Sequence, residues 1–323
     1  MDDNIPKVPS VNNDYCIKEL EDGTKYFYLD KNIPLNEEII KEMGKYNAVE
    51  FGYNFNQRID NLPNNIQYLT FGDSFNQPLC DNLPTKLECL TFGYNFNQPL
   101  CDNLPPKLKY LFFGDNFNQP VDHLPTFNPE KGSIGLQQLY FGDNFNQSVD
   151  NLPSEIINLV FGVNFNQPVD NLPSNIQVLH FGINFNQPVD NLPSKIENLS
   201  FNYKFNQPVD HLPSGLLILQ FGVEFNQPVN NLPTGLQSLT FGWFFNQPCN
   251  NLPSEIKILT FGHEFNQPLG DNLPVELEEL TLGLEFNQPF DNKFPSSLKY
   301  LNISTYYDKP LFSIPSTVVI TRI

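Results

Sequence analysis

The stretch Leu172-Pro173-Ser174-Asn175-Ile176-Gln177-Val178-Leu179-His180-Phe181-Gly182-Ile183-Asn184-Phe185-Asn186-Gln187-Pro188-Val189-Asp190-Asn191 decides the fold, because near-copies of it fill most of the chain. Its tripeptide Phe-Asn-Gln occurs twelve times, starting at Phe55, Phe75, Phe96, Phe117, Phe145, Phe165, Phe185, Phe205, Phe225, Phe245, Phe265 and Phe286. The copies lie 20, 21, 21 and 28 residues apart, then six times 20 and once 21. A period of this size marks a solenoid, whose units cannot cover their own apolar residues and are stabilised by stacking on one another.

Inside the unit, Ile176 to Gly182 brings apolar side chains to alternate positions, the spacing of a strand with one buried face. The segment is too short for a helix. Gly182 permits a bend, Phe185 returns to the interior, Pro188 ends ladder pairing, and Leu192-Pro193 turns the chain toward the next strand. Each unit is thus one strand and a long extended return. Parallel strands stack about 4.8 Å apart, so twelve coils span on the order of 55 to 60 Å.

Stacking also sets like residues over one another. Asn56, Asn76, Asn97, Asn118, Asn146, Asn166, Asn186, Asn206, Asn226, Asn246, Asn266 and Asn287 form one column, expected to be a structural ladder in which side-chain amides satisfy neighbouring backbone groups. An acidic column, including Asp60, Asp81, Asp102, Asp122, Asp150, Asp170, Asp190, Asp210, Asp271 and Asp291, runs beside it. Neighbouring carboxylates about 5 Å apart repel by roughly 0.8 kcal/mol in water, so something must offset them. An Asx turn, with each carboxylate accepting backbone N–H groups before Leu-Pro, is one reading. Calcium held between coils is the other.

The composition narrows the function classes. A formal charge of −18 disfavours nucleic-acid and anionic-membrane binding, both of which draw affinity from Lys and Arg near phosphate. Met1 to Ser10 is polar with no apolar run behind it, and no stretch reaches the roughly 20 apolar residues of a spanning helix. The five cysteines, Cys16, Cys80, Cys89, Cys101 and Cys249, are odd in number and lack a Cys-x-x-Cys pair. Together these features predict a cytoplasmic protein with free thiols in a reducing compartment. Cys80 and Cys101, at equivalent positions of adjacent units, are read as small apolar neighbours rather than a bridge.

At Phe-Asn-Gln-Pro the chain resembles the FNIP repeat family, named for Phe-Asn-Ile-Pro, over roughly Val49 to Pro310. Here Gln replaces the apolar third residue, and Ser148 replaces Pro in one copy. The resemblance implies a branch of the leucine-rich repeats and a parallel-strand horseshoe or superhelix used for protein recognition. Members occur mainly in social amoebae and large viruses of amoebae, and some carry an F-box that makes them ubiquitin-ligase substrate adaptors. In this chain, residues 1–48 read as a small α+β N-terminal cap: a hairpin of Tyr15 to Leu20 and Lys25 to Leu29, then a helix from Asn36 to Met43. A degenerate F-box is the alternative reading of the same segment. Residues 49–310 form the repeat array, and 311–323 a C-terminal capping strand. The expected fold is therefore an all-β-rich, leucine-rich-repeat-like solenoid of about twelve coils of 20–21 residues.

No catalytic apparatus is legible. His123, His180, His211 and His263 fall in different units, and neither phosphate-cradling glycine loops nor a Gly-x-Ser-x-Gly elbow occurs. No enzyme activity, cofactor or metal is expected. Functional variety should instead lie at exposed positions that packing leaves free. Three columns qualify: the residues before and after the strand Leu, and the residue after Gly. They yield a candidate partner-binding stripe of Tyr140, Val160, Val163, Val178, His180, Ile183, Tyr203, Ile218, Val223, Trp243 and Ile258. The longer unit between Phe117 and Phe145 adds Thr126 to Ser133 outside the coil. A non-catalytic protein-interaction scaffold is the leading expectation, beside a ubiquitin-ligase adaptor and a calcium-stabilised structural solenoid.

Overall fold

A computed structural model describes residues 14–79, 83–269, 273–290, 294–311 and 314–323. It divides into two compact units, Met1–Gln147 with Asn151–Ile156, and Ser148–Asp150 with Ile157–Ile323. Cys80, Asp81, Asp271 and Asp291 lie outside the described residues, as do residues 1–13.

The first unit opens with an antiparallel hairpin, β1 (Cys16–Glu19) and β2 (Lys25–Leu29), turning at Gly23 with φ 84°. A seven-residue helix, α1 (Glu37–Met43), follows, with the Asn36 side chain capping Ile39 N–H at 2.9 Å and Ile39 and Met43 buried. Among the described residues of 1–48 this is the one helix, where an F-box has three. Strand β2 then pairs in parallel with β3 (Ala48–Phe51), starting a stack that continues through β4 (Tyr68–Phe71), β5 (Cys89–Thr91), β6 (Tyr110–Phe112) and β9 (Gln138–Tyr140). The extra residues of the long unit make a small hairpin, β7 (Phe127–Asn128) and β8 (Ser133–Ile134), around a 3-10 turn.

The second unit is an all-parallel stack of β10 (Asn158–Val160), β11 (Val178–His180), β12 (Asn198–Ser200), β13 (Ile218–Gln220), β14 (Ser238–Thr240), β15 (Ile258–Thr260), β16 (Glu279–Thr281), β17 (Tyr300–Ile303) and β18 (Val319–Arg322). Leu159, Leu179, Leu199, Leu219, Leu239, Leu259, Leu280 and Leu301 are partnered in one register. With β3, β4, β5, β6 and β9, the described residues form fourteen parallel turns, against twelve Phe-Asn-Gln copies. The difference lies at the C-terminal end. There Tyr307 stacks on Phe286 at 6.0 Å in the place of Phe, and a further coil ends in β18, so the array runs past Pro310.

Three columns hold each unit together. Two Phe residues per coil stack within it and between coils: Phe181 lies 3.7 Å from Phe185 and 5.5 Å from Phe201, and Phe185 lies 6.1 Å from Phe205. These rings are almost wholly buried, and each contributes about 1.5–3 kcal/mol by leaving water. The asparagine column is the second. The Asn206 N–H donates to Oδ1 of Asn186 and the Asn226 N–H to Oδ1 of Asn206, each at 2.9 Å. The Gln of the motif reinforces the ladder, Gln227 Nε2 reaching both O and Oδ1 of Asn206 at 3.1 Å. In the first unit the ladder begins before the first repeat, where Asn32 Oδ1 accepts from Asn56 N–H at 2.9 Å. In the second it ends where Asp308 N–H reaches Asn287 Oδ1 at 3.4 Å.

Glycine is the third column, and its role differs from the bend expected of it. Among the described glycines only Gly23, Gly132 and Gly135 have positive φ. The repeat glycines instead sit against the backbone of the coil before: a Cβ on Gly222 would overlap the carbonyl of Asn202, and one on Gly242 the carbonyl of Gly222. They allow this close approach because they carry no Cβ; Asn202 is the one residue with a side chain that stands in the column between Gly52 and Gly283.

Two substitutions test these columns. Gly222→Ala forces the coils apart and is expected to cost about 1–3 kcal/mol, while Gly235→Ala, with nothing within 4 Å of its Cβ, should stay within about 0.5 kcal/mol of the parent. The comparison is read from unfolding midpoints. Asn206→Ala leaves the Asn226 N–H without its acceptor, a loss of about 1–3 kcal/mol. Hydrogen exchange should accelerate first at the Asn226 amide; uniform acceleration along the chain would remove the ladder from that role.

Candidate partner-binding surface

Each strand triplet points its central Leu inward, so the residues before and after it face outward together. In the first unit this places Tyr140 half-buried on the strand face, stacked on Phe112 with ring centroids 4.8 Å apart. The other ten residues of the candidate stripe belong to the second unit.

There the register sets Val160 beside His180, and the row before the Leu reads Val178, Asn198, Ile218, Ser238, Ile258, Glu279. Large apolar residues thus alternate with polar ones, with Ile218 and Ile258 exposed. Neutral His180 is the favoured form, because burial pushes its imidazole pKa below the ordinary value.

The row after Gly lies in the turn that follows each strand: Val163, Ile183, Tyr203, Val223 and Trp243, continuing to His263 and Leu284. Main-chain bonds fix this ridge, since the next residue of each coil donates to the preceding coil: Lys204 N–H to Ile183 O at 2.9 Å, Glu224 N–H to Tyr203 O at 2.8 Å, and Phe244 N–H to Val223 O at 2.9 Å. Tyr203 and Trp243 are 42% and 49% exposed, although the Leu and Phe columns beside them are closed to solvent. The Trp243 indole stacks on the His263 imidazole, centroids 4.2 Å apart and planes 5° from parallel. Phe244, exposed next to Trp243, extends the ridge and was not among the expected residues. Its position otherwise carries Asn in many coils, so a lone Phe is its only sequence signal.

The acidic column is satisfied in a way different from the expected Asx turn. Asp122 Oδ1 accepts from Asn151 Nδ2 at 3.0 Å, Asp150 from Asn171 at 3.1 Å, Asp170 from Asn191 at 2.9 Å, and Asp210 from Asn231 at 3.1 Å. An amide of the following coil therefore stands between successive carboxylates. His211 takes the place of that Asn beyond Asp190. No group of three or more His, Cys, Asp or Glu among the described residues is disposed to hold a metal ion. The thiol of Cys249 is buried, and desolvation pushes its pKa up to about 12, which keeps it protonated and unreactive. No helix among the described residues is long and apolar enough to cross a membrane.

The FNIP Repeat family model matches residues 55–95, 96–126, 148–182, 168–204, 185–222, 205–244, 245–285 and 286–320. Among solved structures the chain is similar to CroV588, described as a novel circular LRR protein, with 32% identity and a TM-score of 0.65. That match covers 91% of this chain and 55% of CroV588, so the chain spans little more than half of that protein's length. YopM from Yersinia enterocolitica WA-314 matches with 19% identity and a TM-score of 0.48, over 88% of this chain and 74% of its own. The Toll–Spatzle complex of Drosophila matches with 12% identity and a TM-score of 0.49, over 98% of this chain and 47% of that one. No curated protein sequence matches. Matched over more than half of its residues by the family model, and built of the stacked parallel coils described above, the chain belongs to the FNIP repeat family.

Proposed function

We propose that this protein is a non-catalytic scaffold that binds a protein partner through the outward rows of its second unit. One observation carries the reading: large apolar side chains stay exposed over successive coils on a backbone held by bonds from coil to coil. Ile183, Tyr203, Ile218, Trp243 and Ile258 are each 37–49% exposed, while the Leu residues between them are buried. Isolated exposed apolar residues are ordinary, but contiguous rows on a rigid frame mark an interface, and Trp and Tyr are its usual anchors.

The leucine-rich-repeat type of fold supports the same conclusion, since such solenoids commonly serve protein interaction. The surface is also a poor match for nucleic acid, because the chain carries a formal charge of −18. A cytoplasmic partner fits the buried, protonated thiol of Cys249 and the absence of any Cys-x-x-Cys pair in the sequence.

The test is affinity purification from amoebal cells of the parent beside a Tyr203→Asp, Val223→Asp, Trp243→Asp variant whose circular dichroism and unfolding midpoint show it folded. Loss of one set of co-purifying proteins from the variant alone supports the surface. Recovery of the same set by both forms sinks it.

A further inference from the structure

Resting on that partner-binding reading, we propose that the turn ridge of the second unit takes a basic, apolar-rich segment of its partner, with Arg or Lys side chains pairing with Glu224, Glu264 and Glu285. These residues occupy the second position after each repeat Gly. In the first unit it holds Asn95, Asn116 and Asn144, whose amides bond to one another: Asn116 Nδ2 to Asn95 Oδ1 at 3.1 Å, and Asn144 Nδ2 to Asn116 Oδ1 at 2.9 Å. The second unit begins in the same way, Asn184 Nδ2 reaching Asn164 Oδ1 at 2.8 Å. Self-pairing amides therefore satisfy this position from Asn95 to Asn144 and again at Asn164 and Asn184, while earlier in the first unit it holds Asn54, whose amide donates to Asp30 Oδ2 at 3.3 Å, and Ser74.

Beyond Asn184 the amides stop. The next coils carry Lys204, Glu224, Phe244, Glu264 and Glu285. Among the described residues the carboxylates of Glu224, Glu264 and Glu285 have neither a hydrogen-bond nor an ion-pair partner, although Glu264 and Glu285 are exposed on adjacent coils. Like charges about 5 Å apart repel by roughly 0.8 kcal/mol in water, and here no amide stands between them as it does in the Asp column. The same coils carry the exposed Trp243, Phe244 and Leu284.

Carboxylates without internal partners, interleaved with exposed aromatic and aliphatic groups on a fixed ridge, complement a cationic segment that also has apolar side chains. Lys and Arg suit such a surface because their aliphatic stems cover apolar groups while their heads reach the acids. The charge of −18 steers in the same direction, raising the encounter rate for a basic partner and lowering it for an acidic one. Lys204, at the start of the row, is the one opposing charge among these five side chains.

Trp243 is the sole tryptophan, so its emission reports on this ridge directly. The full chain is titrated with three synthetic peptides, alternating leucine with arginine, with glutamine or with glutamate. The expected result is a saturable emission shift strongest for the arginine peptide, weakened by salt, and absent for the glutamate peptide. A variant with Glu224→Lys, Glu264→Lys and Glu285→Lys, confirmed folded by circular dichroism, should lose at least about tenfold in affinity for the arginine peptide and favour the glutamate peptide. Equal binding of all three peptides that is abolished by Tyr203→Asp with Val223→Asp, a variant that keeps the Trp243 emission, would keep the surface and overturn the basic assignment. No response to any peptide, or an unchanged arginine affinity in the reversed variant, would also overturn it, leaving the surface to stand or fall on the co-purification above.

Discussion

Each side chain in these stacks has the copy of itself from the neighbouring coil as its nearest lateral neighbour, because parallel strands in one register lie about 4.8 Å apart. A column survives only if its residue tolerates itself at that distance. Phe does so by stacking, as Phe165 on Phe185 at 6.1 Å; Asn by having both an acceptor and backbone to serve; Gly by having no Cβ. The repeated sequence is the direct consequence of this constraint. Coils joined in this way are stabilised by nearest-neighbour interfaces, so damage to one column acts locally before it acts on the whole chain.

Acidic residues fail the self-tolerance requirement, and the two acidic rows meet it differently. In the Asp column Asn151, Asn171, Asn191 and Asn231 each reach back to the carboxylate of the preceding coil, so there charge is separated by an amide. The ridge carboxylates of Glu224, Glu264 and Glu285 have no such device. They are tolerated because they lie at a solvent-facing turn, where water and salt weaken the repulsion. Their cost is small, but stacking offers no reason for them, whereas the neighbouring coils show that Asn would serve.

The same constraint explains what could be read from sequence. Period, strand position and the Phe and Asn columns were legible because self-stacking writes them as repetition. Alternation about the strand Leu likewise showed which side chains face outward, Ile218 and Ile258 among them. Features whose partner lies in another coil and differs in type were not legible. The Asn151–Asp122 bond pairs residues 29 apart, and sequence does not show the carbonyl pressed against each repeat glycine. The thirteenth coil around Tyr307 was hidden because it keeps the geometry of the Phe column and abandons its residue type, and the ladder's start at Asn32 because it keeps the Asn but has Lys31 and Ile33 where the repeats have Phe and Gln. The ridge carboxylates stood one residue beyond the columns chosen for their variety. Nothing in an isolated Glu distinguishes an unpaired surface acid from a paired one.

Stability is therefore carried by some positions of the repeat, and the proposed recognition by others. Replacing a core Phe or a stacked Gly disturbs two neighbouring interfaces, whereas replacing an outward residue such as Tyr203 or Trp243 removes little that the fold needs. Exposed hydrophobic side chains at such positions bring no packing gain commensurate with their contact with water, and in the turn row from Ile183 to Trp243 they stand on adjacent coils. Polar residues would serve the fold equally well there, as Asn198 and Ser238 do in the same row. The apolar choices at Ile218, Ile258, Tyr203 and Trp243 are therefore not required by stacking, and they are the positions that the proposed partner-binding role uses.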